Sequence, residues 1–329
     1  MSPSRRDFLA GLATTGALAA ASRSARALAG CPFRLSVIND EISQDFDHSC
    51  YVASRVFGLN WIELRGMWNK NITELNADEI AQSRKILAKY SLRVTDIASP
   101  LFKVDWPGAP PSRFSPRHGE FHADFDFKQQ NALRDRCIDL CKTFETDRLR
   151  CFDFWRLDDV KPWRAAINAK LDETASVFAK HKVILLLENE MDCNTGSGKE
   201  AAATLAAIPN PNLMLNWDLG NSATFPGDVP YPTDYDLLPK HRIGHCHCKD
   251  TIRKPDGKAV WAPVGGGIID WVGQFRAFMR QGYHYAVSLE THWRGATPPP
   301  GSGMSVAEAS SRISMKGLKE DLAKAGASC

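Results

Sequence analysis

The chain has no apolar run of the about 18 residues that a membrane-spanning helix needs. It has no Cys-x-x-Cys pair, which argues against a structural zinc site. Gly196-Ser197-Gly198-Lys199-Glu200 lacks the spacing of a phosphate-binding loop and the hydroxyl after its lysine. No Gly-x-Ser-x-Gly elbow marks a serine hydrolase. No Gly-rich dinucleotide fingerprint follows the first strand-like run, where the sequence reads Asn39-Asp40-Glu41-Ile42-Ser43-Gln44. A surplus of charge is missing too. The formal net charge is +3, and residues 1–29 alone hold four arginines against one aspartate. The remainder is close to neutral, so it offers no field to a phosphate backbone, and nucleic acid is excluded as a partner.

The N-terminus reads as an address. Ser4-Arg5-Arg6-Asp7-Phe8-Leu9 precedes the Ala-rich apolar run 10–21. A basic start, a short apolar middle and a small-residue end describe an export signal of the twin-arginine type over residues 1–29. The expected partner is the twin-arginine export machinery, and the expected location is periplasmic. Ala27-Leu28-Ala29 supplies a cleavage site, whereas Leu28-Ala29-Gly30-Cys31 offers a lipid anchor at Cys31 as the alternative. The nine cysteines show no disulfide framework.

From residue 30 to 329 the composition is that of one globular body with a large core. Eight strand-like runs recur: Phe33–Ile38, Trp61–Leu64, Arg93–Ile97, Arg148–Phe154, Val183–Leu187, Leu213–Trp217, Arg242–His247 and Ala286–Leu289. Helix-like segments lie between them, at Asp47–Phe57, Asp78–Tyr90, Lys128–Phe144, Pro162–Lys180, Lys199–Ile208 and Trp271–Gln281. Ser305–Lys324 reads as a closing helix. Eight strands alternating with helices predict an α/β fold, a single-domain (β/α)8 TIM barrel. Two long insertions, Ser99–Asp126 and Asp250–Asp270, follow strands and so fall on the face where barrels carry function. The second holds Gly265-Gly266-Gly267, read either as backbone amides near substrate or as a turn.

Four runs each end on a metal-binding type of side chain: VILLLENE on Glu188, LMLNWDLGN on Asp218, RIGHCHCKD on His247 and AVSLETHW on Glu290. They are about one strand-helix unit apart, so neighbouring strands present them side by side. Three carboxylates and one imidazole suit one divalent ion, Mn²⁺ first, with Mg²⁺, Co²⁺ and Zn²⁺ also admitted. The side-chain period of a strand is two. His245 and Lys249 therefore share the inward parity of His247, while Cys246 and Cys248 face the helices. Each acid also has a plain reading, as a helix cap or an ion-pair partner.

ENE, NWDLGN, GHCHCKD and SLETHW, in this order, resemble the motifs of the xylose isomerase-like barrel superfamily, and more closely its sugar phosphate isomerase/epimerase branch. DEISQDF and FGLNWIELRG resemble that branch as well, and the likeness runs over about residues 33–325. It implies that Glu188, Asp218, His247 and Glu290 bind one metal, and that Glu188 and Glu290 also carry protons. It implies that Arg253, six residues after the metal histidine, contacts substrate. Asn221 stands where the epimerases often have histidine, and the extra histidines of the three-metal endonucleases are missing.

The chemistry expected is proton abstraction next to the carbonyl of a chelated sugar, giving isomerisation or epimerisation. Loss of a β-substituent at the same site would make a lyase or hydratase. A non-catalytic sugar-binding protein is the reading from another class. Lys103, His245 and His292 join Arg253 as candidate substrate contacts.

Overall fold

All eight runs become parallel strands in the computed structural model, which describes residues 30–115 and 125–329. They are β1 (Arg34–Val37), β2 (Trp61–Leu64), β3 (Arg93–Ile97), β4 (Arg148–Cys151), β5 (Ile184–Glu188), β6 (Leu213–Asp218), β7 (Ile243–Cys248) and β8 (Ala286–Leu289). Their lateral order is β1-β8-β7-β6-β5-β4-β3-β2. A parallel bridge between Ile38 and Glu63 joins β1 to β2, so the sheet closes on itself. The expected export signal, residues 1–29, lies outside the described residues, as does part of the first long insertion.

The helices are α1 (Phe46–Tyr51), α2 (Ala77–Tyr90), α3 (Gln130–Thr143), α4 (Arg164–Lys180), α5 (Gly198–Ala207), α6 (Leu219–Ala223), α7 (Trp271–Arg280) and α8 (Val306–Ala325). Local chemistry fixes their ends. Asn76 and Glu79 cap α2 reciprocally, each satisfying the other's backbone N–H. Ser197 and Glu200 do the same for α5, so Gly196-Ser197-Gly198-Lys199-Glu200 is a capping box. Gly282 follows α7 at φ 71°, the left-handed conformation that ends a helix and that glycine adopts freely. The segment expected as one helix over 47–57 is α1 followed by a wider turn over Val52–Val56.

Outward residues of the strands and inward residues of the helices form one continuous core. Leu185, Leu187, Leu213, Leu215, Val287 and Leu289 pack with Leu171, Phe178, Leu205, Phe275 and Leu318. Each such side chain contributes about 1.5–3 kcal/mol on burial. Cys246 and Cys248 belong to this core, as their parity requires. The barrel interior is polar instead: Glu63, Asp96, Arg150, Asn216, His245 and His247 are all buried there.

The second insertion is an ordered hairpin, Asp250–Arg253 paired antiparallel with Ala259–Ala262, where the sequence suggested a loop. The Asp250 carboxylate then accepts hydrogen bonds from the backbone N–H of Thr251, Gly265, Gly267 and Ile269 and from the Trp271 indole. A side chain at Gly267 would lie 2.0 Å from that carboxylate. The triple glycine thus wraps an internal acid: two of its amides serve Asp250 and the third, from Gly266, donates to the Pro263 carbonyl.

Cys31 and Cys329 form a disulfide across 298 residues, and seven other cysteines are buried and free. The bond ties the segment before β1 to the end of α8. Cys31→Ser is expected to lower unfolding free energy by about 2–4 kcal/mol, the usual range for a bond closing a long loop. Denaturant melts of the variant and the parent check this, and coincident curves contradict it.

Candidate metal centre

The site stands at the C-terminal ends of β5 to β8. Register makes it: Glu188 pairs with Asn216, and Asp218 pairs with His247. The N–H of Glu290 donates to the carbonyl of Cys248, which sets the end of β8 beside the end of β7. Asn189, the middle residue of Glu-Asn-Glu, locks the first two acids together. Its side-chain oxygen accepts from the N–H of Asp218, and its amide nitrogen donates to the carbonyls of Asp218 and Gly196.

One donor atom each from Glu188, Asp218, His247 and Glu290 falls within 4.8 Å of the others, and all four residues are buried. His247 Nδ1 lies 3.1 Å from Glu188 Oε1, 3.3 Å from Glu290 Oε2 and 3.7 Å from Asp218 Oδ2. Asp218 also meets its plain reading, because its Oδ1 caps α6 by accepting from the N–H of Asn221 at 2.8 Å. One oxygen holds the helix, and the other faces the centre.

The carboxylate oxygens test whether a divalent ion fits. Glu188 Oε2, Asp218 Oδ2 and Glu290 Oε2 are buried and accept no well-directed hydrogen bond. Arg150 and Lys249 approach them only as ion-pair partners, at 2.7–3.1 Å, so three converging acids already draw positive charge to one place. Hard carboxylate oxygens with one imidazole are the donor set of Mn²⁺ or Mg²⁺, with Zn²⁺ also accommodated. The residues fit.

Of the groups that support these four, sequence reasoning placed Lys249 on the inward face and missed Glu63, Arg65 and Arg150. Glu63 Oε1 accepts from His247 Nε2 at 3.0 Å, which leaves Nδ1 turned to the carboxylates. This is the carboxylate-histidine arrangement that fixes a ligand's tautomer. Arg150 places Nη1 3.1 Å from Glu188 Oε2. Arg65 donates to Glu290 Oε1 at 2.9 Å, to Glu41 at 2.6 Å and to Asp40 at 2.9 Å. Lys249 Nζ is 2.7 Å from Glu290 Oε2 and 3.0 Å from Asp218 Oδ2. Parity along β2, β4 and β7 was the available signal for Glu63, Arg150 and Lys249.

The remaining expected residues divide. His292 reaches the site, with Nε2 3.3 Å from Glu290 Oε1 and its ring edge-on to Trp261 at 5.1 Å. His245 lies deeper, between Asp96 at 3.0 Å and Asn216 at 3.0 Å. Lys103 is buried over the rings of Phe152 and Trp155 and sits 3.8 Å from Glu190. Arg253 directs its guanidinium to backbone carbonyls of Ala223, Phe225 and Gly257, bracing the hairpin. Asn221 donates toward Glu188 Oε1 at 3.5 Å.

The electrostatics follow from burial and neighbours. Burial alone would lower the pKa of His247, but Glu63, Glu188 and Glu290 hold it well above the usual histidine range. Burial works to raise Glu188, yet His247 and Arg150 pull it down to about 2. Burial works to raise Glu290 too, but Lys249, His292 and His247 together hold it well below its ordinary value. For Asp218 burial wins, and its carboxyl is raised.

The family model described as "Xylose isomerase-like TIM barrel" matches residues 52–316. No curated protein matches the chain. Among solved structures, a xylose isomerase-like TIM barrel protein from Mycobacterium smegmatis in complex with magnesium aligns with TM-score 0.61 and 18% identity, over 89% of this chain and 98% of that one. A D-allulose 3-epimerase from Methylomonas sp. gives 0.64 and 15%, over 90% and 100%. The probable 3-DHS dehydratase AsbF from Bacillus anthracis gives 0.63 and 18%, over 87% and 99%. At these identities the likeness establishes the fold.

A divalent ion must displace the proton that the raised His247 carries at neutral pH. Affinity is therefore expected to rise with pH across about 6–8, with about one proton released per ion. Calorimetry in buffers of different ionisation enthalpy reads this, and binding without proton release contradicts it. Glu63→Gln is expected to weaken the ion's affinity about 10–100-fold, the usual effect of losing a partner behind a ligand.

Proposed function

The chain belongs to the xylose isomerase-like TIM barrel family, and on that premise we propose that it is a divalent-metal-dependent isomerase or epimerase of a sugar or sugar derivative. The observation that carries this reading is the buried four-donor group, three carboxylates converging on one imidazole. Glu188, Asp218, His247 and Glu290 would hold the ion. When bound, it polarises the substrate carbonyl and acidifies the neighbouring C–H. Glu188 and Glu290 are the proposed proton carriers, while Asp218 and His247 mainly hold the centre.

Carboxylates this far below their ordinary range are weak bases. The reaction then depends on how well charge developing on the carbonyl oxygen is stabilised, commonly the largest single contribution to rate in such sites. His292 at the mouth, together with Arg253, His245 and Lys103, remains a proposed substrate contact. Elimination begins with the same proton removal. The fold-level likeness to a probable dehydratase supports a lyase or hydratase as the second reading.

The same proposal has the chain exported by a twin-arginine signal in residues 1–29. The Cys31–Cys329 disulfide supports this, since such bonds persist in oxidising compartments. A thioether-linked lipid would need the same Cys31 sulfur, so soluble export is favoured over an anchor. No helix among the described residues is long and apolar enough to cross a membrane. Sugar phosphates are mainly cytoplasmic, and an exported enzyme is expected to take unphosphorylated sugars.

Incubation with free and 3-keto sugars in D₂O and Mn²⁺, followed by NMR, tests the reading. Deuterium is expected at a carbon next to the carbonyl, and Glu290→Gln is expected to abolish its uptake. The product separates isomerisation from elimination. Absence of exchange on every substrate counts against proton abstraction.

A further inference from the structure

We propose that the ammonium group of Lys249 is a second, fixed electrophile of the site, holding a substrate oxygen beside the four-donor group. The inference rests on the functional reading above in one respect: it takes substrate to chelate at that group.

Position is the first argument. Lys249 stands two residues past His247, so its side chain shares the inward parity of the ligand. Its side chain is 2% exposed. On one side Nζ meets Asp218 Oδ2 and Glu290 Oε2. On the other side it lies 5.3 Å from the ring centroid of Trp261. Trp261 comes from the hairpin, is half-buried, and packs against His292, whose side chain is 26% exposed. The order from the barrel outward is carboxylates, ammonium, then an aromatic and imidazole rim. An oxygen that enters between rim and carboxylates meets Nζ.

Lys249 is a counter-ion of Asp218 and Glu290, and comparison with the neighbouring guanidinium shows what it has to spare. Arg65 makes well-directed hydrogen bonds to Asp40, Glu41 and Glu290. Lys249 Nζ is as deeply buried and carries three donors, none of which makes a well-directed hydrogen bond. Two carboxylates at 2.7 and 3.0 Å leave it a third donor to complete. An oxygen gaining negative charge would do so.

The sequence also makes room for this lysine. A Cβ at Gly220 would lie 2.1 Å from Lys249 Cγ and 2.8 Å from its carbonyl oxygen. The stem therefore occupies the space that any side chain at 220 would take. Gly220 is two residues past Asp218 in Asn-Trp-Asp-Leu-Gly-Asn, so one turn sets both the ligand and the passage for the lysine. When a proton leaves the substrate carbon for a carboxylate, the electron pair moves onto the carbonyl oxygen. Lys249 keeps its proton and forms no bond; its donors stabilise that charge. A compact ammonium suits an oxygen whose charge changes more than its position does.

Mn²⁺ affinity and acetohydroxamate affinity, both by calorimetry on the full chain, test the role. Acetohydroxamate is a chelating mimic of the enediolate. Lys249→Met is expected to bind one Mn²⁺ at least as tightly as the parent, because a competing cation is removed; Gly220→Ala, whose Cβ also presses on the Lys249 carbonyl, serves only to displace the ammonium. Each is expected to bind acetohydroxamate about tenfold or more weakly, the size of one lost charge-assisted hydrogen bond. Intact Mn²⁺ binding with unchanged acetohydroxamate affinity in Lys249→Met overturns the role of Lys249 alone. A parent protein that takes up no Mn²⁺ overturns the functional reading beneath it. Should neither variant fold, the Mg²⁺-loaded parent with ¹⁵N-lysine decides: the Lys249 ammonium resonance is expected to move on acetohydroxamate binding, and a resonance unmoved at saturation overturns the role.

Discussion

Three carboxylates are buried around one imidazole, and the rest of the structure is arranged to tolerate that. Glu188, Asp218 and Glu290 are each at most 3% exposed. Leaving one buried charge without a partner costs about 3–5 kcal/mol. The chain answers with Arg150 on Glu188, Arg65 on one oxygen of Glu290, and Lys249 between Glu290 and Asp218. Glu63 orients the imidazole, Asn189 fixes the spacing of two strand ends, and Gly220 gives up its side chain to let the lysine through. Each of these choices makes sense only in relation to the acids.

The same arrangement shapes the chemistry. Groups that keep Glu188 and Glu290 ionised also make them poor bases. In the proposed reaction such a site would gain its rate from preorganised positive charge rather than from a strong proton acceptor. Arg150 lies within β4, and Arg65 and Lys249 directly follow β2 and β7, so the sheet itself positions the cations. The hairpin after β7 is the other half of the design, because it carries Trp261 over the mouth while Asp250 and the three glycines hold its base.

The strands and the four convergent side chains were legible because both depend on local pattern. Short β-branched and leucine-rich runs mark strands buried on both faces, and a period of two assigns inward and outward residues, which is why Cys246 and Cys248 could be set aside. Glu63 sits inside Trp-Ile-Glu-Leu, where one acid in an alternating run looks like a solvent-facing residue; only closure of the barrel turns it onto His247. Arg65 reaches partners 24 to 225 residues away, and the disulfide spans 298, distances over which local pattern carries no information. The triple glycine stayed open between substrate-facing amides and a turn because its partner, Asp250, is recognisable only once the chain has folded back.

Anomalous diffraction from crystals grown with Mn²⁺ tests the central claim most directly, that four strand ends were built to hold one cation. The expected map has a single strong peak bounded by Glu188, Asp218, Glu290 and the Nδ1 face of His247, with Glu63 still on Nε2. A map with no peak among those residues, at an ion concentration that saturates binding in solution, would contradict it.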